Sequence, residues 1–338
     1  MLKFALNKII DKKDLTEVEM IQAVREIMDG KSEMSVMGGF LTALKLKGET
    51  SIEITGGAKV MREKAEKIDL DDLYTLDTCG TGGDNLGTFN ISTASAFICA
   101  AAGSFVSKHG NRSVSSKSGS ADVLEELGVN INLSSKEVEQ CVRNENIGFL
   151  FAPNFHKAMK YAMPVRKQLG FRTIFNILGP LTNPVKAKSQ VIGVFDERLT
   201  ETMAEVLKNL GVKHALVVHG MDGLDEISVS GRTKVTELYK NVIKTYYISP
   251  EDFGLSKYDI GEILGGTAKD NAEIINRIFD GETGAKRDIV LLNSGAALYV
   301  NKDLNSIEEG INLAKDIIDS KKAKEKLKKF VAYTKTFS

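Results

Sequence analysis

The chain has little of what marks membrane, secreted or metal-cluster proteins. No apolar run approaches the length of a membrane span, and residues 1–12 mix apolar and charged side chains instead of forming an apolar signal core. The three cysteines, Cys79, Cys99 and Cys141, have neither metal-binding spacing nor the even number of a disulfide framework. These absences predict a cytoplasmic protein with reduced thiols and no membrane contact.

The chain also lacks a net charge, since 45 Lys and Arg residues balance 45 Asp and Glu residues. A neutral chain has no general attraction to nucleic acid, so no nucleic-acid partner is expected. Its 338 residues, 42% hydrophobic and 27% charged, suit a globular protein of two domains or one large domain.

No activated nucleophile can be recognised in the sequence. The four histidines form no defensible Ser/His/Asp order, and no cysteine has a clear activating partner. A hydrolase with a covalent intermediate is therefore disfavoured.

Residues 1–66 are predicted to be mostly helical. A capping box at Thr16 starts a helix that Gly30 ends, a second helix covers 32–47, and a capping box at Thr50 starts a third. Their apolar faces need a partner, which is either the rest of the chain or a second copy of it.

After residue 73, short apolar strands alternate with helices, which predicts a mostly parallel sheet flanked by helices. The predicted strands are 74–77, 105–108, 147–151, 190–194, 214–219 and 289–293. The predicted helices start near Ser92, Ser120, Ser135, Leu199, Lys269 and Ser306. Residues 233–238 and 243–248 alternate polar and apolar side chains and predict an antiparallel hairpin.

The predicted architecture is a small, discontinuous helical domain joined to a larger α/β domain. The helical domain covers 1–70, and a proline-marked segment near 163–188 returns to it. The α/β domain covers 71–162 and 189–338. Binding sites in such folds lie at the carboxyl ends of the strands.

Three loops that follow predicted strands carry the chemistry. The first, Asp77-Thr-Cys-Gly-Thr-Gly-Gly-Asp84, joins a strand to a helix and is either an ordinary glycine-rich turn or an anion cradle of bare amide groups. It matches neither a Walker loop nor a dinucleotide-binding motif. The second, 107–120, has three cations within ten residues and reads better as a second anion loop than as a linker.

The third loop, 220–226, ends in the adjacent carboxylates Asp225 and Glu226. Alone it reads as an exposed acidic turn, but beside two anion loops it suits a Mg²⁺ site. Two anion loops suggest a substrate whose two phosphate groups lie far apart.

The order of these motifs resembles that of the anthranilate phosphoribosyltransferase family, over nearly the whole chain. The matching segments are Asp77-Thr-Cys-Gly-Thr-Gly-Gly-Asp84, Asn90-Ile-Ser-Thr93, Lys108-His-Gly-Asn-Arg-Ser-Val-Ser-Ser116, Phe149-Leu-Phe-Ala-Pro153, Pro164-Val-Arg166, Asn176-Ile-Leu-Gly-Pro-Leu-Thr-Asn-Pro184, Gly223-Leu-Asp-Glu-Ile227 and Leu291-Leu-Asn-Ser-Gly-Ala-Ala297. The resemblance implies Mg²⁺-dependent transfer from phosphoribosyl pyrophosphate (PRPP) to anthranilate, the second step of tryptophan synthesis from chorismate. It also implies homodimers formed through the helical domain, two Mg²⁺ ions, and catalysis by positioning without an acid, base or nucleophile.

The resemblance assigns site residues by position. Those implied for PRPP are Gly80, Gly83, Asp84, Thr88, Asn90, Ile91, Ser92, Thr93, Lys108, His109, Gly110, Asn111, Arg112, Ser113, Val114, Ser115, Ser116 and Ser120. Those implied for anthranilate are Gly80, His109, Asn111, Arg166 and Pro180, and those implied for Mg²⁺ are Ser92, Asp225 and Glu226.

The chain departs from the family pattern at two places. Lys157 stands where proline is expected, near the expected mouth of the anthranilate tunnel, and Gly38 and Gly39 stand where at least one alanine is expected. Two alternatives share the fold. A pyrimidine nucleoside phosphorylase would be expected to read Lys-His-Ser-Thr-Gly-Gly in its phosphate loop, and a non-catalytic nucleic-acid-binding relative would need a basic surface.

Overall fold

The computed structural model describes residues 1–113 and 117–337. Its first four helices are α1 (Leu2–Ile10), α2 (Glu17–Met28), α3 (Met34–Lys47) and α4 (Ser51–Lys64). The predicted capping boxes are confirmed, because Thr16 and Thr50 each accept the amide of the glutamate three residues on, whose carboxylate accepts the cap amide in return. Helix α1 was not predicted as a separate helix.

One seven-stranded sheet forms the centre of the α/β part. Its strands are β1 (Thr75–Asp77), β2 (Phe105–Gly110), β3 (Ile147–Phe151), β4 (Ser189–Gly193), β5 (His214–Gly220), β6 (Thr233–Tyr239) and β7 (Val242–Ile248). They lie in the order β3-β2-β1-β4-β5-β6-β7. The first five pair in parallel, and β6 and β7 form the predicted antiparallel hairpin. The predicted fold class is therefore confirmed.

Eleven further α-helices surround the sheet in the described residues. They are α5 (Ile91–Ala101), α6 (Ser120–Glu126), α7 (Ser135–Glu145), α8 (Ala152–Phe155), α9 (Met163–Leu169), α10 (Ile174–Leu178), α11 (Leu199–Asn209), α12 (Ala268–Phe279), α13 (Ala285–Lys302), α14 (Ile307–Asp319) and α15 (Lys322–Thr334). The six predicted helix starts fall within one residue of observed starts.

The predicted strand at 289–293 is wrong, because these residues lie in the middle of α13. Nearly every side chain from Ile289 to Leu298 is buried. A short apolar run buried on all sides does not distinguish a central strand from a buried helix.

Two hydrophobic clusters hold the molecule together. The larger lies between the sheet and helices α5, α12, α13 and α15, where the rings of Phe279 and Phe330 pack edge-on against Phe97. The smaller joins α1–α4 to the other face of the sheet and includes Val165 of α9 and Leu178 of α10. That membership supports a return of the chain to the helical layer, while the domain bounds stay a prediction.

The departures from the family pattern have local consequences. A methyl group on Gly39 would lie 3.3 Å from Leu6 of α1, and one on Gly38 would lie 3.7 Å from Val165 of α9. Gly39 therefore lets α3 pack closely against α1, whereas a methyl group on Gly38 would make an ordinary contact with α9. Lys157 forms an ion pair with Glu66 at 2.7 Å, just beyond α4. Among the described residues, no helix is long and apolar enough to cross a membrane.

Candidate active site

A cavity of about 230 Å³ opens at the carboxyl ends of the parallel strands, where the three predicted loops meet. It is lined by fifteen of the predicted site residues: Gly80, Gly83, Asp84, Thr88, Asn90, Ile91, Ser92, Thr93, Lys108, His109, Gly110, Asn111, Ser120, Asp225 and Glu226. Arg112, Ser113, Arg166 and Pro180 are described but do not line it, and Val114, Ser115 and Ser116 lie outside the described residues. The geometry thus unites most of the predicted set, whose roles stay predictions.

The glycine loop is held against the end of β4. Thr81 donates its amide to Gly193 O at 2.8 Å, and its hydroxyl accepts the Phe195 amide at 3.2 Å. A Cβ on Gly80 would come within 3.0 Å of Gly193 O, so this approach requires glycine. Gly83 has φ +86°, a left-handed conformation that also favours glycine.

Helix α5 begins inside the cavity wall. Its first-turn residues Ser92 and Thr93 face the cavity, where the helix dipole favours an anion. The Asn90 side chain makes no bond to the helix end; it donates to Ser118 O at 3.2 Å and accepts from Asn271 at 3.0 Å. Asn90 therefore ties the first loop to the second. Sequence reasoning missed Asn271, which carries no motif of its own.

Lys108 brings a buried cation to the floor of the cavity. Its side chain is 3% exposed, and its ammonium group donates to Ser92 Oγ at 3.2 Å and to Thr78 O at 3.3 Å. Within residues 1–113 and 117–337, Lys108 forms no ion pair with a carboxylate at contact distance. Its charge is available to an anion that enters between α5 and the glycine loop.

The acidic loop places like charges together opposite that cation. Burial and the neighbouring Asp84 and Glu226 carboxylates raise the pKa of Asp225 well above its usual range. Burial raises the pKa of Glu226 to about 7, against the lowering effect of Lys108. Asp84 Oδ2 is buried and has no hydrogen-bond partner in the described residues.

This donor set fits a hard divalent cation, which would relieve the repulsion between the carboxylates. In the part of the chain that the structure describes, however, no three His, Cys, Asp or Glu side chains converge as a metal-binding group. A cation here would therefore need water or substrate oxygens to complete its coordination.

Asp77 supports the second loop from below. Its buried carboxylate accepts the Asn183 side-chain amide at 2.8 Å and the His109 backbone amide at 3.2 Å. Asn183 also donates to Ser107 O at 2.8 Å. Burial raises the pKa of Asp77 to about 6. Asp77 of the first loop and Asn183 of the proline-marked segment thus meet to fix the backbone at His109, a link that sequence order does not reveal.

Two neutral imidazoles lie beside the cavity. The rings of His109 and His156 are 5.1 Å apart between centroids, and burial lowers their pKa values to about 3 and about 4. Within the described residues, His156 Nε2 and both ring nitrogens of His109 are buried without a hydrogen-bond partner. These unpartnered polar atoms mark a place for a polar ligand. His156 was not among the predicted site residues.

The segment from α9 to β4 supplies the wall next to these rings. Gln190 donates to Pro180 O at 3.1 Å, and Arg62 donates to Leu181 O at 2.7 Å. The Arg166 guanidinium lies 5.5 Å from the Phe175 ring centroid, and burial lowers its pKa. Among the described residues, Arg166 has no carboxylate partner.

Arg112 lies differently from its predicted neighbours. Its guanidinium pairs with Asp122 and Glu125 of α6, and it packs over the Phe151 ring at 5.5 Å. Asp122 also accepts the amides of Ser113 and Gly119. In this structure the side chain of Arg112 closes the loop onto α6 instead of facing the cavity.

Family models match both parts of the chain. Residues 3–65 match the helical bundle domain of the glycosyl transferase family, and residues 73–324 match its a/b domain. The fold and site thus define a glycosyl transferase composed of a helical bundle and an α/β domain.

Comparison with individual relatives identifies the family more narrowly within the glycosyl transferases. The chain is 58% identical over 337 residues to an anthranilate phosphoribosyltransferase of Acetivibrio thermocellus, covering 100% of this chain and 98% of the relative. The crystal structure of the Thermus thermophilus enzyme of that name is 40% identical, covers 98% of this chain and 99% of its own, and superposes with a TM-score of 0.93. The chain therefore belongs to the anthranilate phosphoribosyltransferase family, as the sequence motifs predicted.

A third comparison concerns ligands. The Saccharomyces cerevisiae anthranilate phosphoribosyltransferase, solved in complex with PRPP and Mg, is 27% identical. It covers 99% of this chain and 98% of its own, with a TM-score of 0.90.

Proposed function

We propose that the chain transfers the phosphoribosyl group of PRPP to the amine of anthranilate, with Mg²⁺, and releases pyrophosphate. In the cell this is the second step of tryptophan synthesis from chorismate. The observation that carries the proposal is the meeting of the glycine loop, Lys108 and the pair Asp225 and Glu226 around one cavity. The PRPP and Mg complex of the yeast relative supports the same ligands here.

PRPP spans the two anion loops. The glycine loop and the first turn of α5 hold the pyrophosphate and ribose side, using residues from Gly80 to Thr93. The loop that begins at Lys108 and ends at Ser120 holds the remainder, including the distant phosphate. Lys108 is buried beside Ser92 and supplies the positive charge that the glycine loop lacks.

Two Mg²⁺ ions are assigned to Ser92, Asp225 and Glu226, with Asp84 beside them. Bound Mg²⁺ neutralises negative charge on pyrophosphate as it leaves. The chain's own contribution is a set of crowded carboxylates whose pKa values are raised by burial and by their mutual repulsion. The glycine-loop amides and Lys108 stabilise the same leaving group.

Anthranilate is assigned to the wall formed by Gly80, His109, Asn111, Arg166 and Pro180. Arg166 is an arginine without a carboxylate partner in the described residues, and a guanidinium binds a carboxylate through two parallel hydrogen bonds. The unpartnered nitrogens of His109 support a polar ligand next to it. His156, in ring contact with His109, joins this wall.

The amine needs no strong base, because an aniline nitrogen is already neutral near pH 7. His109, with its pKa lowered to about 3, stays neutral at that pH and is unsuited to carry a proton away. Catalysis then depends on aligning the amine with C1 of the ribose while donors hold the leaving pyrophosphate.

We further propose a cytoplasmic homodimer formed through the helical domain. Ten of the fifteen large apolar side chains that are exposed in the described residues lie at 1–52 or 161–171. Phe4, Ile10 and Leu46 are 54%, 62% and 83% exposed. This concentration of exposed apolar side chains in one part of the molecule supports an interface there.

The test is to incubate the protein with PRPP, Mg²⁺ and anthranilate and to follow the loss of anthranilate fluorescence. We expect a loss that requires all three components and stops when EDTA removes Mg²⁺. No loss, together with phosphate-dependent cleavage of uridine or thymidine, would contradict the proposal and favour a nucleoside phosphorylase.

A further inference from the structure

Arg172 connects the segment after α9 to the glycine loop. It lies between α9 and α10, and its Nη2 donates to the carbonyl oxygen of Gly83. The guanidinium also stacks on Phe195, with Cζ 4.1 Å from the ring centroid. A Cβ on Gly83 would lie 3.0 Å from Nη2, so a side chain at this position would press against the guanidinium.

The charge of Arg172 is not committed to a carboxylate. In the described part of the chain, Arg172 forms no ion pair with Asp or Glu at contact distance, unlike Arg112 or Arg143. Its partners are a carbonyl dipole and the face of an aromatic ring, both of which attract a guanidinium. Arg172 is therefore held in place by Gly83 O and the Phe195 ring, and it restrains the orientation of both groups in return.

The bond to Gly83 O determines how the next peptide unit is oriented. In a trans peptide the carbonyl oxygen and the following amide hydrogen point in opposite directions. Gly83 and Asp84 line the cavity, whereas Arg172 is not among the described residues that line it. Holding Gly83 O toward Arg172 therefore turns the Asp84 amide hydrogen away from Arg172, in a peptide whose two residues both line the cavity.

We infer that Arg172 is a positioning residue for pyrophosphate: it keeps the Gly83–Asp84 peptide turned so that its amide, and not its carbonyl oxygen, faces the anion. Gly83 has φ +86° and no side chain to restrain it, so without Arg172 this peptide is free to rotate. A carbonyl oxygen turned inward would repel pyrophosphate. The inference rests on the proposed function, because it takes the cavity to be the PRPP site.

The same contact links the two substrates. Arg172 follows Arg166 by six positions in one short segment and immediately precedes Thr173, the residue at the start of α10. A shift of that segment when anthranilate binds would move the guanidinium that holds the pyrophosphate loop. The segment thus serves the anthranilate wall with one arginine and the PRPP loop with the other.

The first experiment compares Arg172→Met, which keeps the stem and loses the donors, with Arg172→Lys, which keeps a charged donor. We expect Arg172→Met to raise the KM for PRPP about tenfold, the effect of losing one charged hydrogen bond, and to leave the anthranilate KM at saturating PRPP nearly unchanged. Arg172→Lys should fall between Arg172→Met and the original protein. The matched control is Arg277→Met on α12, an arginine 57% exposed, which should change neither constant.

Two outcomes would overturn the inference. The first is a PRPP KM of Arg172→Met within about twofold of the original, since one charged hydrogen bond is worth more than that. The second is an Arg172→Lys variant as impaired as Arg172→Met, which would mean that donation to Gly83 O is unimportant.

A second pair of measurements keeps the inference testable if Arg172→Met does not fold. Phe195→Leu removes the ring under the guanidinium and should raise the PRPP KM in the same direction but less; an unchanged KM would count against the inference. Calorimetric titration of Mg²⁺ and pyrophosphate needs no turnover. If the unaltered protein binds pyrophosphate but does not consume anthranilate, the proposed function fails while the role of Arg172 is still tested by this titration.

Discussion

Replacing Glu226 by glutamine should make the protein more stable and less active at the same time. Glu226 is a half-buried carboxylate at the cavity, and its loss of solvent there raises its pKa from 4.5 to about 7. Glutamine has nearly the same shape as a protonated glutamate but cannot ionise. The substitution therefore removes the free-energy cost of holding an ionised carboxylate at position 226.

The size and pH range of the gain follow from the pKa. Between pH 4.5 and 7 the folded protein keeps a proton on Glu226 that the unfolded chain has lost, so stability falls as pH rises through this window. A difference of about 2.5 pKa units corresponds to about 3 kcal/mol, fully present above pH 7. Glu226→Gln should recover about 3 kcal/mol at pH 8 and less than about 1 kcal/mol at pH 5.

The assay is thermal unfolding of the ligand-free protein at pH 8 and at pH 5, with turnover measured on the same samples. We expect the midpoint to rise by several degrees at pH 8, to change little at pH 5, and kcat to fall with an altered Mg²⁺ dependence. Glu205→Gln, at an exposed position of α11, is the control and should change none of these.

Two results would refute this reasoning. A midpoint that falls at pH 8 would mean that the hydrogen bonds from Ser92 and the nearby charge of Lys108 make ionised Glu226 stabilise the fold. A gain of equal size at both pH values would mean that the effect does not come from its charge.

Three further variants test the other walls of the site and the dimer. Arg166→Ala should raise the KM for anthranilate by about tenfold or more with little change for PRPP; an unchanged anthranilate KM would remove Arg166 from the site. Lys108→Met should weaken PRPP more than anthranilate in the same steady-state assay, and the reverse order would exchange the two loops. Phe4→Glu with Ile10→Glu should give a monomer by light scattering, whereas a persistent dimer would place the interface elsewhere.

Much of the fold follows from local sequence signals. Thr16 and Thr50 start helices because their side chains cap them, and the hairpin of β6 and β7 was predicted from alternating polar and apolar residues. Residues 289–293 failed this reasoning because a helix buried on every side has no polar face to set its period. Helix α1 was missed because no capping box marks its first residue.

The site residues also divide into two groups: those that a local motif identified, and those that contacts between distant segments bring together. The glycine loop, Lys108 and Asp225 were recognised because each motif lies at or just beyond the carboxyl end of a strand. Contacts between distant segments, such as Asn183 on Asp77 or Arg172 on Gly83, depend on how the segment after α9 folds back. Arg112 shows that a local motif can also mislead. It is a basic residue within a predicted anion loop, but it pairs with Asp122 and Glu125 of α6, the helix that follows.

The central claim is that a bond forms between the anthranilate nitrogen and C1 of the ribose. It is tested most directly by supplying ¹⁵N-labelled anthranilate and PRPP labelled with ¹³C at C1, and recording the NMR spectrum of the product. The account predicts a one-bond ¹³C–¹⁵N coupling and one pyrophosphate released for each product molecule. Consumption of PRPP without that coupling, or transfer to the carboxylate oxygen, would contradict it.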